Sequence, residues 1–170
     1  MEKKRIIRKV CLLGDGGVGK TSLVRRYVED AFSDKYIVSF GTKVSKKVLD
    51  LGEVELTLMI WDILGQRGED ALHSAYYKGA NGALVVGDLT NAQSIEHMQR
   101  WKDDFLRVEK EARIVAVLNK KDLENLVPSS LLDKVGSYLG TETRMTSAKT
   151  GEGVEETFAL LGKAIMEMKR

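Results

Sequence analysis

Val10-Cys11-Leu12-Leu13-Gly14-Asp15-Gly16-Gly17-Val18-Gly19-Lys20-Thr21-Ser22 is the stretch that decides the fold. Its apolar first four residues read as the end of a strand, its last residues open a segment with helical spacing, and the pattern between them is GxxxxGK[ST]. A loop of this kind turns successive backbone N–H groups toward the oxygens of a polyphosphate, at the positive end of the following helix. Glycines remove the side chains that would block that approach. Asp15, Gly16, Gly17, Val18, Gly19, Lys20, Thr21 and Ser22 are therefore the expected phosphate-binding residues. Lys20 would reach the β- and γ-phosphates and the Thr21 hydroxyl would hold Mg²⁺. The motif specifies a nucleotide without saying which.

The chain has 170 residues, 43% of them hydrophobic, with a single proline. That length suits one domain with a full core, expected to span residues 1–170. Twenty-seven basic residues against 25 acidic ones leave a net charge of +2, far from the basic excess of a nucleic-acid binder. Cys11, the one cysteine, reads as a small core residue in a reducing compartment. No apolar run approaches the roughly 20 residues of a membrane span, and neither end carries a signal peptide or lipidation motif. The expectation is a soluble cytoplasmic monomer. Any membrane contact would be peripheral, through the basic run Lys3 to Lys9, which otherwise reads as a solvated lead-in to the first strand.

Short apolar runs at 8–13, 83–87 and 114–118 are separated by segments with helical spacing, the pattern of a parallel α/β sheet. The runs in the middle and second half are apolar on both faces, as central strands must be when helices cover the sheet on each side. Ile95, Met98, Trp101, Phe105 and Leu106 trace one face of a helix opened by Ser94, and Val154, Phe158, Leu161, Ile165 and Met168 trace another. Residues 41–61 read as a hairpin turning near Asp50-Leu51-Gly52. Its first strand, around 42–50, would be an antiparallel edge guarded by Lys43, Lys46 and Lys47. The fold class expected is α/β: a six-stranded, mostly parallel sheet with helices on both faces.

Trp61-Asp62-Ile63-Leu64-Gly65-Gln66 closes the hairpin's second strand. Asp62, at a strand's C-terminal end beside the phosphate loop, is placed to hold Mg²⁺ through its water. The Gly65 N–H could meet the γ-phosphate and Gln66 could orient an attacking water. Asn119-Lys120-Lys121-Asp122 follows the fifth strand. The Asp122 carboxylate can accept from N1–H and N2–H₂ of guanine, whereas adenine would leave it unpaired in a partly buried site. Asn119 would brace the loop, and the Lys120 stem could lie against the purine. Thr146-Ser147-Ala148-Lys149 ends the sixth strand and could offer the Ala148 N–H to guanine O6.

With these motifs in this order, each at a strand's C-terminal end where ligands of open α/β sheets bind, the chain resembles the Ras superfamily of small GTPases, most of all its Rab and Ras branches. The likeness covers essentially the whole chain and implies a G domain that binds GTP and GDP with Mg²⁺. It implies exchange factors, activating proteins and effectors that contact 33–48 and 63–78. In the family a threonine of the effector loop binds Mg²⁺ and the γ-phosphate; that position falls on Ser39, with Thr42 the rival. By the same resemblance Phe32 would pack edge-on against guanine and Tyr36 would close over the γ-phosphate, although Phe32 also reads as a core residue.

Departures from the family pattern cluster in the second switch, where Ile63 and Leu64 replace small residues and Glu69 replaces an aromatic. Val44, Trp61 and Tyr76 stand at the positions of the hydrophobic triad that Rab effectors read, Val44 in place of an aromatic. Arg67 reads as a solvent-exposed switch residue and not as an arginine finger in cis, so hydrolysis is expected to be slow without a partner. Gly16 leaves room for a partner's arginine. The expected function is a switch that hydrolyses GTP, with Gln66 and Lys20 catalytic and Thr21, Ser39 and Asp62 around Mg²⁺. A non-cycling guanine-nucleotide-binding module is the alternative, while Asp122 opposes an ATP-dependent kinase.

Overall fold

The computed structural model describes residues 2–30, 43–63 and 70–168, with side chains of 70–72 left aside. Phe32, Tyr36, Ser39, Thr42, Leu64, Gly65, Gln66, Arg67 and Glu69 lie outside the described residues. In chain order the elements are β1 (Lys4–Leu13), α1 (Lys20–Glu29), β2 (Lys43–Asp50), β3 (Val54–Asp62), α2 (Asp70–Tyr77) and β4 (Gly82–Asp88). They continue with α3 (Ala92–Glu96), α4 (Met98–Val108), β5 (Arg113–Asn119), α5 (Ser129–Leu139), β6 (Glu142–Met145) and α6 (Val154–Met166).

The strands form one six-stranded sheet in the order β2-β3-β1-β4-β5-β6. β2 pairs antiparallel with β3, and every other pairing is parallel. This is the expected mixed α/β sheet, with β2 as its antiparallel edge. The hairpin turns through Gly52, where φ is 88°, and Asp50 accepts the Gly52 N–H at 3.0 Å.

β4, β5 and the C-terminal half of β1 are covered on both faces, and their residues divide by parity between two cores. Leu84, Val86, Val115 and Val117 face Leu23, Val24 and Tyr27 of α1 and Phe158, Leu161 and Ile165 of α6. Ala83, Val85, Ala116 and Leu118 face Tyr77, Ile95, Met98, Trp101, Phe105 and Val135 on the other side. Tyr27 stacks on Phe158 with ring centroids 3.9 Å apart, which ties α1 to α6. Cys11 is fully buried beneath the second set, as expected of a core residue.

Three local expectations are corrected. The basic run is not a lead-in, because Lys4–Lys9 already belong to β1 and pair with Val54–Met59. Basic side chains are tolerated there because much of that stretch faces solvent. Ser94 does not open its helix: Asn91 is the N-cap, its side chain accepting the Ser94 N–H at 3.3 Å, while Ser94 Oγ accepts the Asp88 N–H at 2.9 Å. The single helix expected there is two, broken at His97. Among the described residues no helix is long and apolar enough to cross a membrane.

Candidate nucleotide site

The C-terminal end of β3 and the loops that leave β1, β5 and β6 meet along one rim of the sheet. The phosphate loop there is held open by backbone geometry that only glycine meets. At Gly14 φ is +145° and a Cβ would lie 2.4 Å from the Val86 carbonyl oxygen. At Gly19 φ is +101° and a Cβ would lie 2.4 Å from Asn119 Nδ2. Gly16 has nothing within 4 Å of a Cβ, so its openness faces outward.

Lys20 opens α1 and is buried at 7% exposure. Its Nζ donates to the carbonyls of Gly14 at 2.9 Å and Asp15 at 3.0 Å. Burial pushes this ammonium down to about 8, while the charges of Asp62 and then Asp15 pull in the opposite sense. A desolvated cation held by carbonyl oxygens is the donor a phosphate oxygen fits, since an anion would compensate the burial. Thr21 Oγ1 donates to Asp62 Oδ2 at 2.5 Å. Burial raises the Asp62 carboxyl above its ordinary range, opposed by the Thr21 hydrogen bond and the charges of Lys20 and Lys43. Hydroxyl and carboxylate are hard oxygen ligands, so this pair suits Mg²⁺ beside a phosphate chain.

The residues expected to read the base are drawn into the same rim. Asn119, the last residue of β5 and not the first after it, is buried. Its Nδ2 donates to the Val18 carbonyl at 3.0 Å, and its Oδ1 accepts from Thr146 Oγ1 at 2.9 Å and the Ala148 N–H at 3.3 Å. The bracing role is thus a bridge between phosphate loop and β6 loop. Lys120, in the left-handed region at φ 70°, sends Nζ to the Gly17 carbonyl and to Asp88 Oδ2, each at 2.8 Å. Its stem therefore spans the gap between the two loops. Asp122 accepts from Ser147 Oγ at 2.7 Å, which orients one carboxylate oxygen. The Asp122 side is exposed and not partly buried as the specificity argument assumes, so guanine itself would have to complete the enclosure. Lys149 is exposed as well, and its carbonyl accepts from Arg26.

Some residues of the site have partners that no motif announces. Asp88 anchors Lys120. Arg26 of α1 donates to the Ala148 carbonyl at 2.8 Å and the Lys149 carbonyl at 2.6 Å, clamping the β6 loop. Asp15 is held by His97 and Trp101. The advance signal for Arg26 is spacing, about 1.7 turns beyond Lys20 on the same helix.

Val44, Trp61 and Tyr76 form one surface patch. Val44 pairs with Trp61 across the β2–β3 ladder, and Trp61 tilts against Tyr76 with ring centroids 6.1 Å apart. Lys9 Nζ sits 3.9 Å from the Trp61 ring centroid.

Comparison with known proteins agrees with this geometry. The model of the Ras family matches residues 9–167. Ras-related protein Rab-21 of Homo sapiens is 38% identical over 162 residues, covering 94% of this chain and 72% of that protein. Ras-related protein SEC4 of Saccharomyces cerevisiae is 34% identical over 163 residues, 95% of this chain and 76% of that one. The Ypt/Rab-type GTPase YPT7 of the same yeast is 33% identical over 178 residues, 99% and 86% of the two chains. The chain belongs to the Ras family and is a Rab-like GTPase.

Proposed function

We propose that this single G domain, residues 1–170, is a molecular switch that binds GTP, hydrolyses it to GDP and phosphate, and changes partners between the two states. The convergence of Lys20, Thr21 and Asp62 at the mouth of the phosphate loop carries the reading. Asp122, oriented by Ser147, would take the N1–H and N2–H₂ edge of guanine, and the Ala148 N–H would turn from Asn119 to O6. Phe32 would flank the base and Lys120 would cover it, while Lys149 keeps the loop in place through its backbone.

For hydrolysis, Asp15, Gly16, Gly17, Val18, Gly19 and Ser22 belong to the loop and helix turn that orient the phosphates. Lys20 would trade its two carbonyl partners for β- and γ-phosphate oxygens. Thr21, Asp62 and Ser39 would surround Mg²⁺, which when bound neutralises charge on those oxygens. Tyr36 and Gly65 would close over the γ-phosphate, and Gln66 would orient the water that attacks it. Exchange factors, activating proteins and effectors would contact 33–48 and 63–78, including the Val44–Trp61–Tyr76 patch. The protein would act as a monomer, in the cytoplasm or at the periphery of a membrane.

The test is to extract the copurified nucleotide and follow phosphate release in a single turnover for the parent and Gln66→Leu. Guanine nucleotide with release in the parent, lost in the variant, is expected. Retained GTP with no release in the parent would reject the switch, and adenine nucleotide would reject the base assignment. Mg²⁺-dependent GTP affinity of Ser39→Ala and Thr42→Ala then identifies the effector-loop ligand.

A further inference from the structure

Asp15 is the one acidic residue inside the phosphate loop, and a carboxylate there faces the charge of any bound polyphosphate. The structure turns it away. His97 Nδ1 lies 2.5 Å from Asp15 Oδ2, and Trp101 Nε1 donates to Asp15 Oδ1 at 2.9 Å. Each carboxylate oxygen thus has its own partner. The two partners are four residues apart, on one face of the α3–α4 junction, while Asp15 is 82 and 86 residues away in sequence. His97 is the residue at which the helix breaks, and the break lets it stand over the loop. The indole is fixed from behind: Trp101 is buried at 8% exposure and His73 of α2 packs against it at 5.6 Å.

The backbone of Asp15 is equally engaged, since its carbonyl accepts from Lys20 Nζ. Holding the Asp15 side chain therefore fixes the limb of the loop from which Lys20 must depart when phosphate arrives. We propose that His97 and Trp101 are positioning residues that anchor Asp15 away from the phosphates and so set how tightly the loop grips the β-phosphate. The inference rests on the guanine-nucleotide reading. Neither residue touches nucleotide; both act through Asp15. A free Asp15 carboxylate would weaken phosphate binding twice, by repulsion and by loosening the loop.

GDP and GMP share the base and differ in the β-phosphate, so their affinities separate this role from a general loss of structure. For His97→Ala and Trp101→Phe, GDP affinity is expected to fall about tenfold, the factor for one hydrogen bond to a charged group. GMP affinity should stay at the parent value. His97→Asn places an amide donor where Nδ1 stands and should restore GDP affinity. In an Asp15→Ala background, His97→Ala should have no further effect. Equal losses for GDP and GMP, no loss in either variant, or no rescue by Asn would each overturn the proposal. Trp101→Phe keeps the packed ring and so decides the matter should His97→Ala fold poorly. A parent that binds no GDP would instead remove the nucleotide reading itself.

Discussion

Thr21 Oγ1 donates to Asp62 Oδ2 across 2.5 Å, joining the first turn of α1 to the last residue of β3 over 41 residues of sequence. Two hard oxygen donors brought this close suit a divalent cation, whose repulsion from the nearby Lys20 ammonium a phosphate chain bound to both would offset. GDP release from the parent should therefore quicken when a chelator is added. Asp62→Ala should release GDP at the chelated rate whether or not Mg²⁺ is present. Dissociation of a fluorescent GDP analogue, followed with and without EDTA, measures both, and a variant that still responds to Mg²⁺ would contradict the assignment.

Ser147→Ala removes the donor that orients Asp122 while leaving the carboxylate in place. The expected loss is about 1 kcal/mol, or roughly fivefold in guanine-nucleotide affinity. Asp122→Ala should cost far more, because the guanine edge would then be left without its acceptor. Competition binding of GDP against both variants gives the order, and a larger loss in Ser147→Ala would reverse the roles.

Gly19→Ala and Gly16→Ala should part company. At Gly19 the left-handed backbone alone costs about 1–2 kcal/mol, and the added methyl would displace Asn119 Nδ2 from Val18. Loss of nucleotide binding and a lower urea midpoint are expected. At Gly16 a methyl meets nothing in the chain, so stability should change by no more than about 0.5 kcal/mol. Equilibrium urea unfolding of the two variants tests the contrast.

Burial pushes the Cys11 thiol up from 9.0 to about 12. Its folded value lies above the unfolded one, so the folded chain retains a proton that the unfolded chain gives up. That contribution to stability is complete below about pH 9 and is lost as pH rises toward 12. Tyr27, also raised by burial, acts in the same sense, whereas Lys20, lowered to about 8, acts in the opposite one. The stability difference between parent and Cys11→Ala should consequently narrow between pH 9 and 12. Urea midpoints across that range check it, and a constant difference would refute it. At pH 8 a thiol reagent should modify Cys11 only as fast as the chain opens.

The residues whose chemistry is local were legible from the sequence. Glycine spacing before Lys20 announces the phosphate loop because few backbone paths can do its work, and the two-faced apolar runs of β4 and β5 announce central strands. What escaped was set by tertiary partners. Lys4–Lys9 look like a solvated tail because half of β1 faces water, yet pairing with β3 makes them strand. Neither proline nor glycine marks the break at His97, and Asp15 is only an unspecified position in its motif. The exposure of Asp122 is a tertiary property that its motif does not encode. Similarly, β6 buries none of its four residues and is a strand because β5 offers it an edge.

The bridges from Asn119 to Val18 and from Arg26 to the Ala148 and Lys149 carbonyls span 101, 122 and 123 residues. On a ribosome, then, the glycine loop emerges early but cannot be clamped until the segment after β6 has cleared the exit tunnel. At about 5–20 residues per second, that is a wait of several seconds or more. Clamping of the loop becomes a late event of biosynthesis, and a chain truncated before residue 146 would keep the partners of the Asn119–Val18 bridge while lacking the Arg26 clamp on Ala148 and Lys149.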